Sequence, residues 1–335
     1  MGLTLTDQDE YNHPVGGAEA NWNESRYIDF WDSRQRVGGW FRTGMRPNAK
    51  YSEMSAGINL PDGRYAFMFG TPRIEEIGYR AGDLAWHVDV PWKTTRLEYH
   101  GELMILEDGW RLTDPKKCFN EAPRLHADIS LTVQSFGLES VMGKDQDHID
   151  LIFVPGMANF HYNHLIRTTG TVKVGDQQWT VDGRGGKDHS WGPRNWHAKL
   201  HYRWLIAAFD DDFGFILSRA VSPTKNTRSG FVWDKGEFLL VDDFEMHNTF
   251  ADAPRYELRQ ARVCIRSGDR QWTATGTPQH WLPLRHRHKN AQGEEATNRI
   301  VKSPAEWVDD AGRTGEGMLE YHDMMNAGIP HGIDD

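Results

Sequence analysis

Between Gly183 and Trp204 the sequence crowds Arg184, Lys187, Asp188, His189, Ser190, Trp191, Arg194, Trp196, His197, His201, Tyr202 and Trp204 into one stretch. A carboxylate and an imidazole set against indole rings suit proton transfer to an apolar molecule. An apolar wall raises a carboxyl pKa, so Asp188 or a neighbour is expected to donate a proton near neutral pH. Indole faces can stabilise a developing cation. Asp210, Asp211 and Asp212 follow and supply further acids. Gly183, Gly185, Gly186 and Gly192 would let the backbone change direction sharply between these groups. The plainer reading is a connector between strands, with Asp188 holding a turn and paired to Arg184 or Arg194.

Other chemistries lack their motifs. No Gly-x-Ser-x-Gly elbow occurs, no phosphate-binding Gly-x-x-x-x-Gly-Lys-Ser/Thr, and no glycine pattern that opens a dinucleotide-binding helix. His161 and His164, three apart on a strand, must face opposite sides. His286 and His288 share a face without a third ligand. No metal and no cofactor is therefore expected. The two cysteines, Cys118 and Cys264, form no motif, and a reduced cytoplasmic setting is the simplest reading. Met1 to Glu10 is acidic, unlike a secretion signal.

Composition narrows the partners. A net charge of −10 disfavours nucleic acid, whose binding needs phosphate neutralisation. The run Arg285, His286, Arg287, His288 and Lys289 reads as a solvated loop or strand end. No apolar stretch approaches a membrane span. The 14 Trp, 10 Tyr and 15 Phe exceed what a core alone calls for and suit a cavity around a small apolar or aromatic substrate. A homodimer is left open.

The elements that must position these groups are strands. Leu125, Ala127, Ile129, Leu131 and Val133 alternate with polar residues, the period of a half-buried strand. Thr95 to Glu107 and Leu239 to His247 also read as strands. Gly175-Asp176, Lys235-Gly236 and Ser267-Gly268-Asp269 read as hairpin turns. Pro304 to Asp310, with Ser303 as N-cap, is expected to be a short helix, and Leu138 to Met142 a turn. The segments GDQQWTVDG at 175–183 and GDRQWTATG at 268–276 match at an offset of 93 residues. That match suggests a tandem pair of β-domains, here divided into residues 1–192 and 193–335. The fold class expected is all-β, two antiparallel barrels with few short helices.

Asp188-His189-Ser190-Trp191-Gly192, preceded by Gly183-Arg184-Gly185, resembles the Asp-His-x-Trp-Gly signature of the carotenoid 1,2-hydratases (hydroxyneurosporene synthases). Their relatives include double-lipocalin proteins, kievitone hydratase-like enzymes and tocopherol cyclase-like enzymes. Asn21-Trp22-Asn23-Glu24-Ser25 and Gly38-Gly39 resemble bacterial members of that family. The resemblance implies two lipocalin-like barrels and a hydrophobic cavity reaching the signature. It also implies cofactor-free acid chemistry: protonate an alkene, hold the cation, add water. The signature's His and Trp carry over to His189 and Trp191. For the family's Tyr-x-Asp pair the stand-ins are Phe209-Asp210, or Tyr202 with a later Asp.

The function expected is thus a cofactor-independent lyase or hydratase, a hydro-lyase acting on a terpenoid or aromatic molecule in an inter-domain cavity. Asp188 or Asp210 would transfer the proton, His189 would orient or relay it, and Trp191 with Tyr202 would face the cation. Arg184, Trp196, His201, Trp204 and His164 would line the substrate. A lipophile carrier and a cyclase or isomerase on the same scaffold are the alternatives.

Overall fold

A computed structural model describes residues 4–74, 77–153, 156–289 and 295–335, with the backbone alone at 288 and 289. Two large antiparallel sheets follow one another along the chain. The first holds β1 (Trp22–Asp32), β2 (Val37–Arg46), β3 (Tyr51–Asn59), β4 (Tyr65–Gly70), β5 (Arg80–Ala81), β6 (Leu84–Val90), β7 (Thr94–Leu106), β8 (Arg124–Ser135), β9 (Phe160–Val174) and β10 (Gln177–Pro193). The second holds β11 (His201–Ala208), β12 (Phe213–Val221), β13 (Asn226–Asp234), β14 (Glu237–Leu240), β15 (Asp243–Phe250), β16 (Leu258–Ser267), β17 (Arg270–Pro278), β18 (Leu282–Lys289), β19 (Glu295–Asp309) and β20 (Thr314–Asn326), with β21 (Ile329–Pro330) paired to β20. Two seven-residue helices, α1 (Pro115–Glu121) and α2 (Gln146–Ile152), start on the side chains of Asp114 and Asp145.

Each sheet pairs its first strand with its last long one, β1 with β10 and β11 with β20. Pairing of β4 with β7 then closes the first sheet into a barrel. The second curls in the same order, and residues 241–242 bridge its ends. Val241 N–H donates to Gly230 at 3.0 Å and Asp242 N–H to Arg266 at 2.9 Å. The all-β, lipocalin-like architecture is therefore present. Inward-facing apolar side chains fill each barrel, Phe30, Phe41, Ile58 and Leu131 in the first, Phe215, Val263, Trp307 and Leu319 in the second. A third apolar layer, including Tyr27, Trp40, Ile206 and Met318, lies between the sheets.

Three expectations need correction. The hairpins at 175 and 268 are both present, but they are not equivalent. The β9–β10 hairpin borders the first strand of its sheet, whereas β16–β17 is separated from β11 by β19 and β20. By position, β16–β17 matches β7–β8. The shared Gly-Asp reports a common turn, with Gly175 at φ 59° and Gly268 at φ 54°. Pro304 to Asp310 is not a helix, for residues 304–309 belong to β19. Ala305 and Trp307 point into the second barrel, and Pro304, which has no N–H, falls where β19 exchanges β18 for β17 as its neighbour. Of the two readings of the run from Arg285, the strand end holds and the solvated loop does not: it is the end of β18, paired along β19.

The glycines of β10 also act otherwise than expected. Gly183, Gly185 and Gly186 lie in one unbroken strand, and of the four only Gly192 has a positive φ, at 123°. They permit close approach instead. A Cβ at Gly185 would lie 2.1 Å from the Asp29 carbonyl oxygen, and one at Gly186 would lie 2.6 Å from Ile206 Cδ1 of the second sheet. Backbone cannot yield as a side-chain tip can. Gly185→Ala is expected to cost about 3 kcal/mol, the upper end of overpacking, in urea denaturation. A loss below about 0.5 kcal/mol, the size of an ordinary surface substitution, would show that this contact is not rigid.

Candidate functional site

The period of two along β10 sorts the dense segment into two compartments. Lys187, His189 and Trp191 point into the first barrel, while Asp188 points out of it, toward the second sheet. The inward set meets residues of the N-terminal segment. Lys187 Nζ donates to Glu10 at 2.8 and 2.6 Å, and Tyr162 Oη donates to the same carboxylate. His189 Nδ1 lies 3.0 Å from Tyr162 Oη, and its Nε2 lies 3.0 Å from Glu24 Oε1. Trp191 stacks on His13 with ring centres 3.6 Å apart. Burial pushes His189 down to about 4, with Arg26 adding to it and Glu24 opposing. Burial alone would raise Glu10 and Glu24. Lys187 chiefly overcomes this for Glu10, and His13 and His189 for Glu24, so both sit at about 2. His13, Glu24 and His189 bring their ligand atoms within 4.8 Å of one another and are the described residues able to hold a metal ion.

The outward set opens on a cavity of about 440 Å³ between the two sheets. Tyr27, Trp40 and Phe67 form the wall from the first sheet, Tyr202, Trp204 and Ile300 that from the second, and Phe119 of α1 and Ile152 of α2 cover one side. Ionisable groups interrupt this apolar wall in pairs. His161 of β9 is hydrogen-bonded through Nε2 to Asp188. Arg42 Nη1 donates to Glu53 at 2.7 Å. On the second sheet, Tyr202 Oη and Lys302 Nζ both donate to Glu320, and Lys302 also donates to Tyr27 Oη at 3.1 Å. Lys302 and Glu320 are direct cross-strand neighbours on β19 and β20.

Asp188 does not carry the raised pKa expected of it. Burial works in that direction, but His161, Arg194 and His189 outweigh it and hold the carboxyl below its usual range. The strongly raised carboxyl near the cavity is Asp29 instead. Burial lifts it to about 7, against the Gly186 N–H bond of 3.0 Å and the pull of Lys302 and Tyr27. Tyr202 is pushed well above its ordinary value by burial and by Glu320, so it is a neutral donor.

Of the residues singled out in the sequence, Asp188, Tyr202, Trp196 and Trp204 line the cavity. Trp196 carries Arg194 and Arg42 over its ring, at 4.9 and 5.2 Å, and stacks against His286. His189 and Trp191 lie on the far side of the β10 wall. His164 is fully buried in the first barrel with both ring nitrogens unpaired, and burial pushes it down to about 3. His161 and His164 do face opposite sides. His201 is bonded to Asp335 at 2.7 Å and lies 3.0 Å from a His331 nitrogen, away from the cavity. Arg184 pairs with Asp211 at 3.1 Å, also outside it. Asp210 is exposed and caps the β11–β12 turn, accepting from Asp212 N–H at 2.8 Å and Phe213 N–H at 2.7 Å.

Residues 6–325 match the family model described as a domain of unknown function, DUF7064. The chain belongs to the DUF7064 family. A comparison with curated proteins finds no match. Among solved structures, this DUF7064 chain is similar to an AttH-like protein from Nitrosomonas europaea, with TM-score 0.60 and 12% identity over 95% of this chain and 96% of that one. It is also similar to kievitone hydratase from Nectria haematococca, with TM-score 0.53 and 9% identity over 97% of each chain. At these identities the likeness shows a shared fold.

Sequence reading missed His161 as a cavity residue of the DUF7064 chain, and missed Glu320, Lys302, Tyr27, Arg194 and Lys199 as site residues. The sequence placed His161 and His164 on opposite faces but assigned the cavity side to His164, where the structure has His161. Glu320 and Lys302 carried no signal of their own, because β19 also holds Arg299 and Glu306 and β20 also holds Glu316 and Asp323. No described helix is long and apolar enough to cross a membrane.

Proposed function

We propose that this DUF7064 chain is a cofactor-independent hydratase or related lyase acting on a bulky apolar substrate in the cavity between its two domains, which divide at residues 192–193. The observation that carries this reading is the pairing of two hydrogen-bonded acid–base groups, His161–Asp188 and Tyr202–Glu320–Lys302, on facing walls of a cavity rich in aromatic rings. An apolar molecule held there has one donor on each side and indole faces between them. In the hydration direction the His161–Asp188 pair gives a proton to an alkene carbon, and Trp204 faces the tertiary cation. Water adds to the cation and loses a proton to Glu320, through Tyr202, and exchange with solvent returns that proton from Glu320 to the His161–Asp188 pair. The sum is one water added across one double bond, with no redox partner.

The resemblance of residues 183–192 to carotenoid 1,2-hydratases supports this class of reaction, as does the fold shared with a kievitone hydratase. In the proposal His189 and Trp191 shape the β10 wall from inside the barrel, and the proton passes through the residues that face the cavity. The two free cysteines accord with a reduced, cytoplasmic setting.

The test is incubation with the methyl ester of a prenylated para-hydroxybenzoic acid in heavy-oxygen water, followed by mass spectrometry. A hydratase yields a tertiary alcohol carrying solvent oxygen. A product of unchanged mass and altered structure assigns a cyclase or isomerase. Ester bound but unchanged, with nothing formed from a wider panel of prenylated phenols, assigns a carrier and ends the enzymatic reading.

A further inference from the structure

The cavity wall does not balance its charges. Each of its carboxylates already has a partner: Glu53 has the Arg42 and Arg46 guanidiniums at 2.7 and 2.8 Å, Asp188 is hydrogen-bonded to His161, and Glu320 has the Lys302 ammonium. Three further cations are left over, and two of them, Arg194 and Lys199, line the cavity from the segment that joins β10 to β11. Arg194 donates to Ser190 Oγ at 2.5 Å, while its Nε is buried without a partner. Lys199 Nζ sits 4.4 Å from the centre of the Tyr202 ring and has no ion pair among the described residues. Arg285 lines the same wall, also without an ion pair among them.

Arg194 and Lys199 are largely but not fully withdrawn from water, and a cation so withdrawn normally carries an anion, because losing hydration is costly for an unpaired charge. Asp188 reaches both at longer range, Glu53 reaches Arg194 and Glu320 reaches Lys199, and all three carboxylates are engaged elsewhere. Burial, reinforced by neighbouring cations, pulls Arg194 down to about 10 and Lys199 to about 8. The wall around them is aromatic, so an occupant that satisfies both features is amphiphilic.

We propose that the cavity takes an apolar molecule bearing one carboxylate, seated against the Arg194 guanidinium and the Lys199 ammonium. This deepens the functional reading above and rests on the cavity being the substrate site. The charged end fixes which way the apolar body enters, and therefore which carbon meets the His161–Asp188 pair. A charge-assisted bond to a desolvated cation is worth far more than one at the surface.

Quenching of tryptophan fluorescence, titrated at neutral pH, decides it with a prenylated para-hydroxybenzoic acid and its methyl ester. The acid is expected to bind the unaltered protein about ten-fold or more tighter than the ester. In the double variant Arg194→Gln, Lys199→Met the ratio should fall to about one, with ester affinity within about three-fold of the original. If the unaltered protein binds acid and ester equally, the carboxylate seat is overturned and the apolar-ligand reading stands. If neither binds, both fall. If the double variant keeps the preference, the anion is held elsewhere and this assignment is wrong. Should the variant not fold, the ratio in the unaltered protein remains decisive.

Discussion

Asp188→Asn is expected to lower turnover of the prenylated probe by about two orders of magnitude or more. The substitution keeps size and one acceptor oxygen, so the cavity keeps its shape. What it removes is the negative charge opposite His161. That charge is present because His161, Arg194 and His189 hold the carboxyl ionised against the pull of burial. Without it, nothing stabilises the extra proton on His161 before it passes to the alkene, and the imidazole loses its orientation as well. Ester binding measured by fluorescence should change by no more than about three-fold, which separates a chemical defect from a lost fold. Asp210→Asn, on the exposed β11–β12 turn, is expected to leave turnover unchanged. If Asp188→Asn retains turnover while Glu320→Gln abolishes it, the proton donor is Tyr202 and the roles of the two walls exchange.

The largest stability effect is expected from Glu10→Ala, on the order of 3–5 kcal/mol in urea denaturation at neutral pH. Glu10 enters the first barrel from an N-terminal 3-10 turn and meets Lys187 Nζ at 2.6 Å, with both side chains all but excluded from water. Truncation leaves an ammonium whose remaining partner is Thr95 Oγ1 at 3.2 Å. A double variant Glu10→Ala, Lys187→Met should recover much of the loss, since it removes the stranded charge.

The pH dependence has a definite sign. Glu10 sits at about 2 in the folded chain against 4.5 ordinarily, so its contribution is full above pH 4.5 and fades as pH falls toward 2. The difference between Glu10→Ala and the unaltered protein should shrink over that interval. His164 and His189, at about 3 and 4 against 6.5, add acid sensitivity of the same sign, because the unfolded chain takes up their protons first. Asp29 has the opposite sign. Its pKa is raised from 3.8 to about 7, so it weakens the fold as pH climbs through that range. A Glu10→Ala loss that stayed constant from pH 7 to pH 3 would contradict the buried pair.

The alternation of residues 125–133 and the three hairpin turns were enough to read the all-β class, because period two and turn chemistry are local properties. The order of strands was not, since it depends on which edges meet. The repeated Gly-Asp turn therefore suggested an equivalence between β9–β10 and β16–β17 that the sheets do not share. Leu239 to His247 read as one strand, yet β14 ends at Leu240 and β15 begins at Asp243, with the residues between them bridging the second sheet. In the site, Trp196, Tyr202 and Trp204 were legible because they follow one another closely in sequence, Trp196 on the segment joining the sheets and the other two at the start of β11. Asp188 and His189 were read as one group, although the parity of an extended strand separates them. Glu320 and Lys302 meet only through the register of β19 and β20.

That parity has a consequence for how such a protein can change. Asp188 and its even-numbered neighbours on β10 lie on the cavity side of the strand, and the odd-numbered Lys187 and His189 belong to a balance of buried charge inside the barrel. Ligand preference can therefore drift at the first set while the second stays fixed, and a redesign of the cavity can alternate along β10, replacing every second residue without reopening the barrel behind it.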